Sequence, residues 1–227
     1  MNNILTEKQY QRYVIDRLVE NGYIERKASA FDRRFAFDRE LLFQFLNDTQ
    51  PEAMDALRKI YKADFEDTII NFLNTEMTKA SGGLISVLKH GVEISNQKLE
   101  LMYTKPATTF NKDLLSKYEK NIFSVMEEVY ASDKERIDLV IFLNGIAIIS
   151  LELKCNPAGQ SYEDAIYQYR TKRNPKTRLF LFKAGCFVNF AMDLEQVFMT
   201  TKLAKDDTFF LPFNMGNGEG VHAVSYT

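Results

Sequence analysis

The chain has 227 residues, of which 45% are hydrophobic and 26% are charged, and its net charge is −2. This composition is typical of a soluble globular protein with one sizeable core. No apolar run approaches the roughly 20 residues of a transmembrane helix, and the first residues lack the pattern of a secretory signal. These features exclude a membrane protein and predict a cytoplasmic one. The absence of a large positive charge means that any contact with nucleic acid must be local.

The amino-terminal third is predicted to be mainly helical. Apolar residues at helical spacing predict a helix over 6–21 that ends at Asn21-Gly22. Asp38 is predicted to cap a second helix, and a long helical stretch is predicted over 51–79. We therefore expect residues 1–85 to form a helical part that packs on the rest of the protein.

From Gly91 onward the apolar runs shorten and take on the β-branched content typical of strands. The runs at 137–143 and 146–154 are apolar on both faces, which indicates a central sheet covered on both sides. Ser161 and Asp164 are predicted to open a helix over 161–173. Further predicted elements are a hairpin with strands at 92–94 and 99–103, a helix at 112–120, and strands at 122–130, 179–182, 187–191 and 197–201.

The predicted fold class is α/β, with a mixed central sheet flanked by helices. Residues 86–213 are expected to form the core that carries the chemistry. The segment 214–227 is rich in glycine and poor in core-forming residues, so a flexible tail or linker is expected there.

Three charged residues stand at the ends of the two most apolar predicted strands. Asp138 is near the start of one, while Glu152 and Lys154 are two residues apart at the end of the other and so share a face. Such charges are costly in a sheet unless they face water, a partner or a metal. Two carboxylates, with the backbone carbonyl of Leu153 as a further candidate ligand, suit Mg²⁺, which activates a bound water. Lys154 would orient that water and stabilise developing negative charge.

The turn between these strands decides whether Asp138 joins the site. A two-residue loop at 144–145 would place Asp138 on the face opposite to Glu152. A three-residue loop at 143–145 would set Asp138 opposite Ser150 and diagonal to Glu152, roughly 7 to 8 Å away. We therefore predict a bulged three-residue turn, or an equivalent bulge within a strand.

The segment 137–175 resembles the nuclease segment of the restriction subunit of type I restriction enzymes, which belongs to the PD-(D/E)XK nuclease superfamily. The similar features are the Leu-Asn-Gly turn, Glu-Leu-Lys, the following Asn-Pro, and Gln-Tyr-Arg on the next helix. The stretches at 31–51, 88–107 and 197–214 are also similar. The resemblance implies that Asp138 and Glu152 are metal ligands, that Lys154 is the catalytic lysine, and that Gln168 orients the substrate backbone.

The resemblance also implies a function: Mg²⁺-dependent endonucleolytic cleavage of double-stranded DNA, in which Mn²⁺ can replace Mg²⁺. It implies partners as well, namely the modification (methyltransferase) and specificity subunits of a type I complex. ATP is expected only in the full-length subunit, because this chain has no GxxxxGK[ST] phosphate loop. Many relatives carry Gln-xxx-Tyr, whereas here Lys172 is four residues after Gln168. No role is assigned to Gln11 or Glu7.

A stretch without acidic residues runs from 165 to 192 and contains six cations. Such an asymmetry is typical of phosphate contacts, although a solvated helix face has the same appearance. The alternative function is a non-catalytic DNA-binding or assembly module on a nuclease fold. The residues predicted to contact DNA are Gln168, Arg170, Lys172, Arg173 and Arg178.

Overall fold

A computed structural model describes residues 6–108, 110–156 and 159–213. The predicted tail over 214–227 lies outside the described residues. None of the described helices combines the length and the apolar character needed to cross a membrane.

The elements are numbered in chain order. The α-helices are α1 (Glu7–Glu20), α2 (Arg39–Thr49), α3 (Pro51–Tyr61), α4 (Phe65–Thr78), α5 (Leu84–His90), α6 (Lys112–Glu119) and α7 (Tyr162–Thr171). The strands are β1 (Ile24–Arg26), β2 (Phe31–Asp32), β3 (Phe37–Asp38), β4 (Val92–Ile94), β5 (Gln97–Leu99), β6 (Phe123–Ser132), β7 (Glu135–Leu143), β8 (Ile146–Leu153), β9 (Val188–Met192), β10 (Val197–Thr200) and β11 (Leu211–Pro212).

The central sheet is mixed, as predicted, with the strand order β1-β6-β7-β8-β9-β10-β11. Strand β1 is parallel to β6, and β9 is parallel to β8, whereas the other neighbours along this path are antiparallel. The small β2–β3 hairpin joins the sheet through β8, and β4 and β5 form a separate hairpin. The long central strands β6, β7 and β8 therefore form the platform that positions the charged residues.

Strands β7 and β8 are buried on both faces because their side chains alternate between two apolar clusters. Leu139 and Ile141 face the cluster formed with helices α2 to α5, while Val140 and Phe142 face the cluster that contains Tyr169 of α7. Burying a side chain of this size stabilises the fold by about 1.5–3 kcal/mol. The predicted covering of the sheet on both sides is confirmed.

The amino-terminal part shares both the sheet and the core with the rest of the protein. Ile24 pairs with Ser124 of β6, and Phe37 pairs with Ile146 of β8. These short strands were not predicted, since two or three paired residues leave no periodic signal in the sequence. A division near residue 85 would thus separate two segments that form one sheet.

Several predicted elements differ from the structure. The predicted stretch 51–79 is divided by a 3-10 turn at 62–64, where Lys62 has a φ of 51°. The second strand of the small hairpin is Gln97–Leu99 rather than 99–103, because Ser95 and Asn96 form a tight turn with positive φ. The strand predicted over 179–182 is wrong: this segment forms turns and buries apolar side chains in the core.

Candidate active site

A bulge within β8 sets the register on which the candidate site depends. Leu143 pairs with Ile146, so the turn is the two-residue Asn144-Gly145 loop, and the predicted three-residue turn is wrong. The pairing then shifts between Ile141 and Phe142 and skips Ile148, which is the bulge within a strand that we gave as the alternative.

The shifted register places the carboxylates of Asp138 and Glu152 opposite each other on neighbouring strands. Val140 pairs with Ser150 and Leu139 with Leu151, so continuing the ladder by one residue sets Asp138 opposite Glu152. The prediction had placed Asp138 opposite Ser150 and diagonal to Glu152. Directly opposite residues on neighbouring strands are closer than diagonal ones, so Asp138 and Glu152 are closer than predicted.

Asp138 is buried and is held by the neighbouring strand. Its Oδ2 accepts a hydrogen bond of 2.7 Å from the backbone amide of Leu153. Burial raises the pKa of Asp138, although this hydrogen bond and the charge of Lys154 act in the opposite direction. A cation near this buried carboxylate stabilises its ionised form.

Glu152 is fully buried, and its two oxygens have different surroundings. Oε1 accepts a hydrogen bond of 2.7 Å from Nε of Arg173. Oε2 is buried and has no hydrogen-bond partner among the described residues. Burial is the main cause that raises the pKa of Glu152 to about 8, and the charge of Asp138 adds to the rise. Leaving a buried oxygen without a hydrogen-bond partner is costly, so Oε2 is a strong candidate for a metal ligand.

The ammonium group of Lys154 lies at the end of β8 and is also buried. It donates to the carbonyl of Leu153 at 2.8 Å and contacts Oε2 of Glu7 on α1 at 3.2 Å. The Glu7 side chain is 37% exposed, so solvent reaches this side of the site. Helix α1 thus contributes the carboxylate of Glu7 to the site, and no role was predicted for this residue.

Gln11, one turn further along α1, contacts the strand that carries Asp138. Its Nε2 donates to the carbonyl of Asp138 at 3.2 Å and lies 3.3 Å from Oε2 of Glu127. Gln11 therefore fixes α1 against β7 through the backbone and leaves the carboxylate of Asp138 to other partners. In the sequence, the contact of Gln11 with β7 is indicated only by the position of Gln11, one helical turn after Glu7.

The donor set fits a hard cation such as Mg²⁺. The carboxylates of Asp138 and Glu152 lie on adjacent strands, and Oε2 of Glu152 is buried with no partner in the described residues. Within the described part of the chain, no group of three or more His, Cys, Asp or Glu side chains is placed to hold a metal. A cation here would have two carboxylates and complete its coordination with the Leu153 carbonyl, water and substrate oxygens, as Mg²⁺ commonly does.

The five residues predicted to contact DNA have different surroundings. Lys172 is exposed, and Gln168 is half-buried with its Oε1 atom buried and without a partner in the described structure. Arg170 donates to the carbonyl of Thr208. Arg173 is buried against Glu152, and Arg178 is mostly buried and bonds to Asn74 and the Ala184 carbonyl. In this arrangement neither Arg173 nor Arg178 is free to bind a phosphate.

A mixed sheet flanked by helices, with an Asp and a Glu-x-Lys at the ends of adjacent strands, is compatible with the nuclease-like α/β class. Residues 4–208 match the family model "Type I restriction enzyme R protein N terminus (HSDR_N)". The chain therefore belongs to this family, which is the amino-terminal part of a subunit of a multi-subunit enzyme that acts on DNA. A comparison with curated proteins found no match.

Proposed function

We propose that this chain is a Mg²⁺-dependent endonuclease domain that cleaves double-stranded DNA. The observation that carries the proposal is Oε2 of Glu152, on the strand next to Asp138, which is buried and has no hydrogen-bond partner among the residues that the structure describes. Membership of a restriction-subunit family supports the same reaction class.

In the proposed site, Asp138, Glu152 and the carbonyl of Leu153 hold Mg²⁺, which Mn²⁺ can replace. When bound, the ion would lower the pKa of a coordinated water and neutralise charge on the phosphate. Lys154 orients the attacking water and stabilises the added negative charge, a role supported by its fixed position between the Leu153 carbonyl and Glu7.

DNA contact is proposed through the exposed face next to α7. Lys172 is the exposed cation of the predicted set and follows the end of α7, which carries Gln168 and Arg170. Contacts of this kind position the backbone and carry little base specificity. Sequence recognition is proposed to belong to a specificity subunit, which acts together with a modification subunit. ATP-driven movement of DNA is proposed for the full-length subunit, in the cytoplasm.

A second candidate function is a non-catalytic DNA-binding or assembly module. It is favoured by the pairing of the charged groups, since Lys154 contacts Glu7 and Glu152 contacts Arg173. The two candidate functions differ in their need for a metal. A docking module does not require carboxylates that bind Mg²⁺, whereas the proposed nuclease does.

The test is calorimetric titration of Mn²⁺ into this chain, comparing the wild type with Glu152→Gln. Gln keeps the shape and the contact with Arg173 but removes the charge. Glu93→Gln, at an exposed position of β4, is the matched control. We expect binding to the wild type and the control, and a loss of at least about tenfold in Glu152→Gln. No binding to the wild type would favour the docking module.

A further inference from the structure

Arg173 follows α7, and its guanidinium is buried against the two strands that carry the candidate metal ligands. Its Nε and Nη2 atoms both contact Oε1 of Glu152, at 2.7 and 2.6 Å. Nη2 also donates to the backbone carbonyl of Arg136, two residues before Asp138, at 2.8 Å. Arg173 therefore ties the side chain of Glu152 on β8 to the backbone of β7.

The loop that carries Arg173 is fixed by a separate set of contacts. The buried carboxylate of Glu135 accepts hydrogen bonds from the amide of Asn174 and from the hydroxyls of Thr177 and Ser132. None of these bonds involves Glu152. Because charge-assisted hydrogen bonds to a buried carboxylate are strong, the loop next to Arg173 is anchored independently of Glu152.

The contact with Glu152 is one-sided. Nε and Nη2 of the guanidinium both contact Oε1, whereas Oε2 is buried without a partner in the described part of the chain. The other cation of the site, Lys154, donates to the Leu153 carbonyl and contacts Glu7. Arg173 is thus the cation that fixes the orientation of the Glu152 carboxylate.

We propose that Arg173 is a positioning residue for Glu152, which holds Oε1 so that Oε2 is presented to the divalent cation. This inference rests on the proposed function, and it replaces the predicted contact of Arg173 with DNA. Partners that orient a metal-ligating group typically contribute 10–100-fold to metal affinity or activity. The two-point contact needs the planar fork of arginine, which lysine cannot supply.

The experiment measures Mn²⁺ affinity by calorimetry and thermal stability for Arg173→Gln and Arg173→Lys in this chain. Arg178→Gln is the matched control, because Arg178 is also mostly buried and bonded but contacts Asn74 and Ala184 instead of the site. We expect Arg173→Gln to weaken Mn²⁺ binding by about 10–100-fold and Arg173→Lys to recover part of the loss. Arg178→Gln is expected to lower the melting temperature while keeping the wild-type affinity.

Wild-type or tighter Mn²⁺ binding by Arg173→Gln would overturn the inference, as would an equal loss in Arg178→Gln. A lower affinity of metal-free Arg173→Gln for duplex DNA, with unchanged Mn²⁺ binding, would restore the predicted phosphate contact. If the wild type binds no Mn²⁺, the proposed metal centre is refuted. Crystal structures of the wild type and Arg173→Gln then test separately whether Arg173 positions the Glu152 carboxylate. A Glu152 carboxylate that keeps its position in Arg173→Gln would then refute the positioning role.

Discussion

The backbone amide of Leu153 donates a hydrogen bond of 2.7 Å to Oδ2 of Asp138. The strand that carries Glu152 therefore also fixes the second carboxylate of the candidate site. This contact depends on the bulge that skips Ile148, because without it the register would move Asp138 to the opposite face of the sheet.

The turn at Asn144-Gly145 is expected to tolerate no side chain at Gly145. Gly145 has a φ of 76°, and an added Cβ would lie 2.3 Å from the carbonyl oxygen of Asp38 and 2.5 Å from the amide of Leu42. We expect Gly145→Ala to lower the free energy of unfolding by about 2 to 4 kcal/mol, measured by urea denaturation. Gly22→Ala is the control, since Gly22 has a φ of 90° but no atom within 4 Å. Its cost should be about 1–2 kcal/mol, and equal losses would contradict the packing argument.

Glu152 is expected to make the metal-free protein less stable as the pH rises. Its pKa of about 8 in the folded state lies above the ordinary value of 4.5, so the folded protein retains a proton that the unfolded chain releases between these values. Stability is therefore lost as the pH rises through this window, by up to about 1.4 kcal/mol per pKa unit of difference.

Chemical denaturation at a series of pH values checks this prediction. Glu152→Gln should flatten the fall in stability between pH 4.5 and 8, whereas the exposed-site variant Glu93→Gln should keep the wild-type slope. Saturating Mn²⁺ should oppose the fall in the wild type, because a bound cation favours the ionised carboxylate. An unchanged slope in Glu152→Gln would show that another group controls the pH dependence.

Lys154→Ala is expected to abolish DNA cleavage by the assembled restriction complex without removing the metal. Loss of a group that stabilises charge in the transition state typically costs about 100-fold or more in rate. Glu7 loses its partner but is 37% exposed, so water can solvate it and the fold should persist. Cleavage assays and Mn²⁺ calorimetry measure the two effects, with Lys112→Ala at an exposed site on α6 as the control. Cleavage at the wild-type rate would rule out a catalytic role for Lys154.

Lys172→Ala is expected to weaken binding to duplex DNA to a similar extent for unrelated sequences. Removing one phosphate contact should also reduce the slope of log affinity against log salt by about 1. Fluorescence anisotropy at several salt concentrations measures both effects. Lys59→Ala, at an exposed position of α3, should leave the slope unchanged. Identical slopes for Lys172→Ala and the wild type would remove Lys172 from the proposed DNA-binding face.

The sequence by itself determined the features that depend on neighbouring residues. Apolar residues on both faces of β7 and β8 predicted a covered central sheet, and Ser161 with Asp164 predicted the start of α7, where the structure has the expected capping box. These predictions succeed because the alternation of strands and the capping of helices are local properties.

Only the tertiary structure decided where the strands shift and which charges meet. The bulge lies within β8 rather than in the turn, where Gly145 is closely packed against Asp38 and Leu42 at the entry to α2. Arg173 meets Glu152 across 21 residues, and Lys154 meets Glu7 across 147 residues. No local pattern specifies such partners, because a buried charge is stabilised by whichever opposite charge the folded chain brings to it.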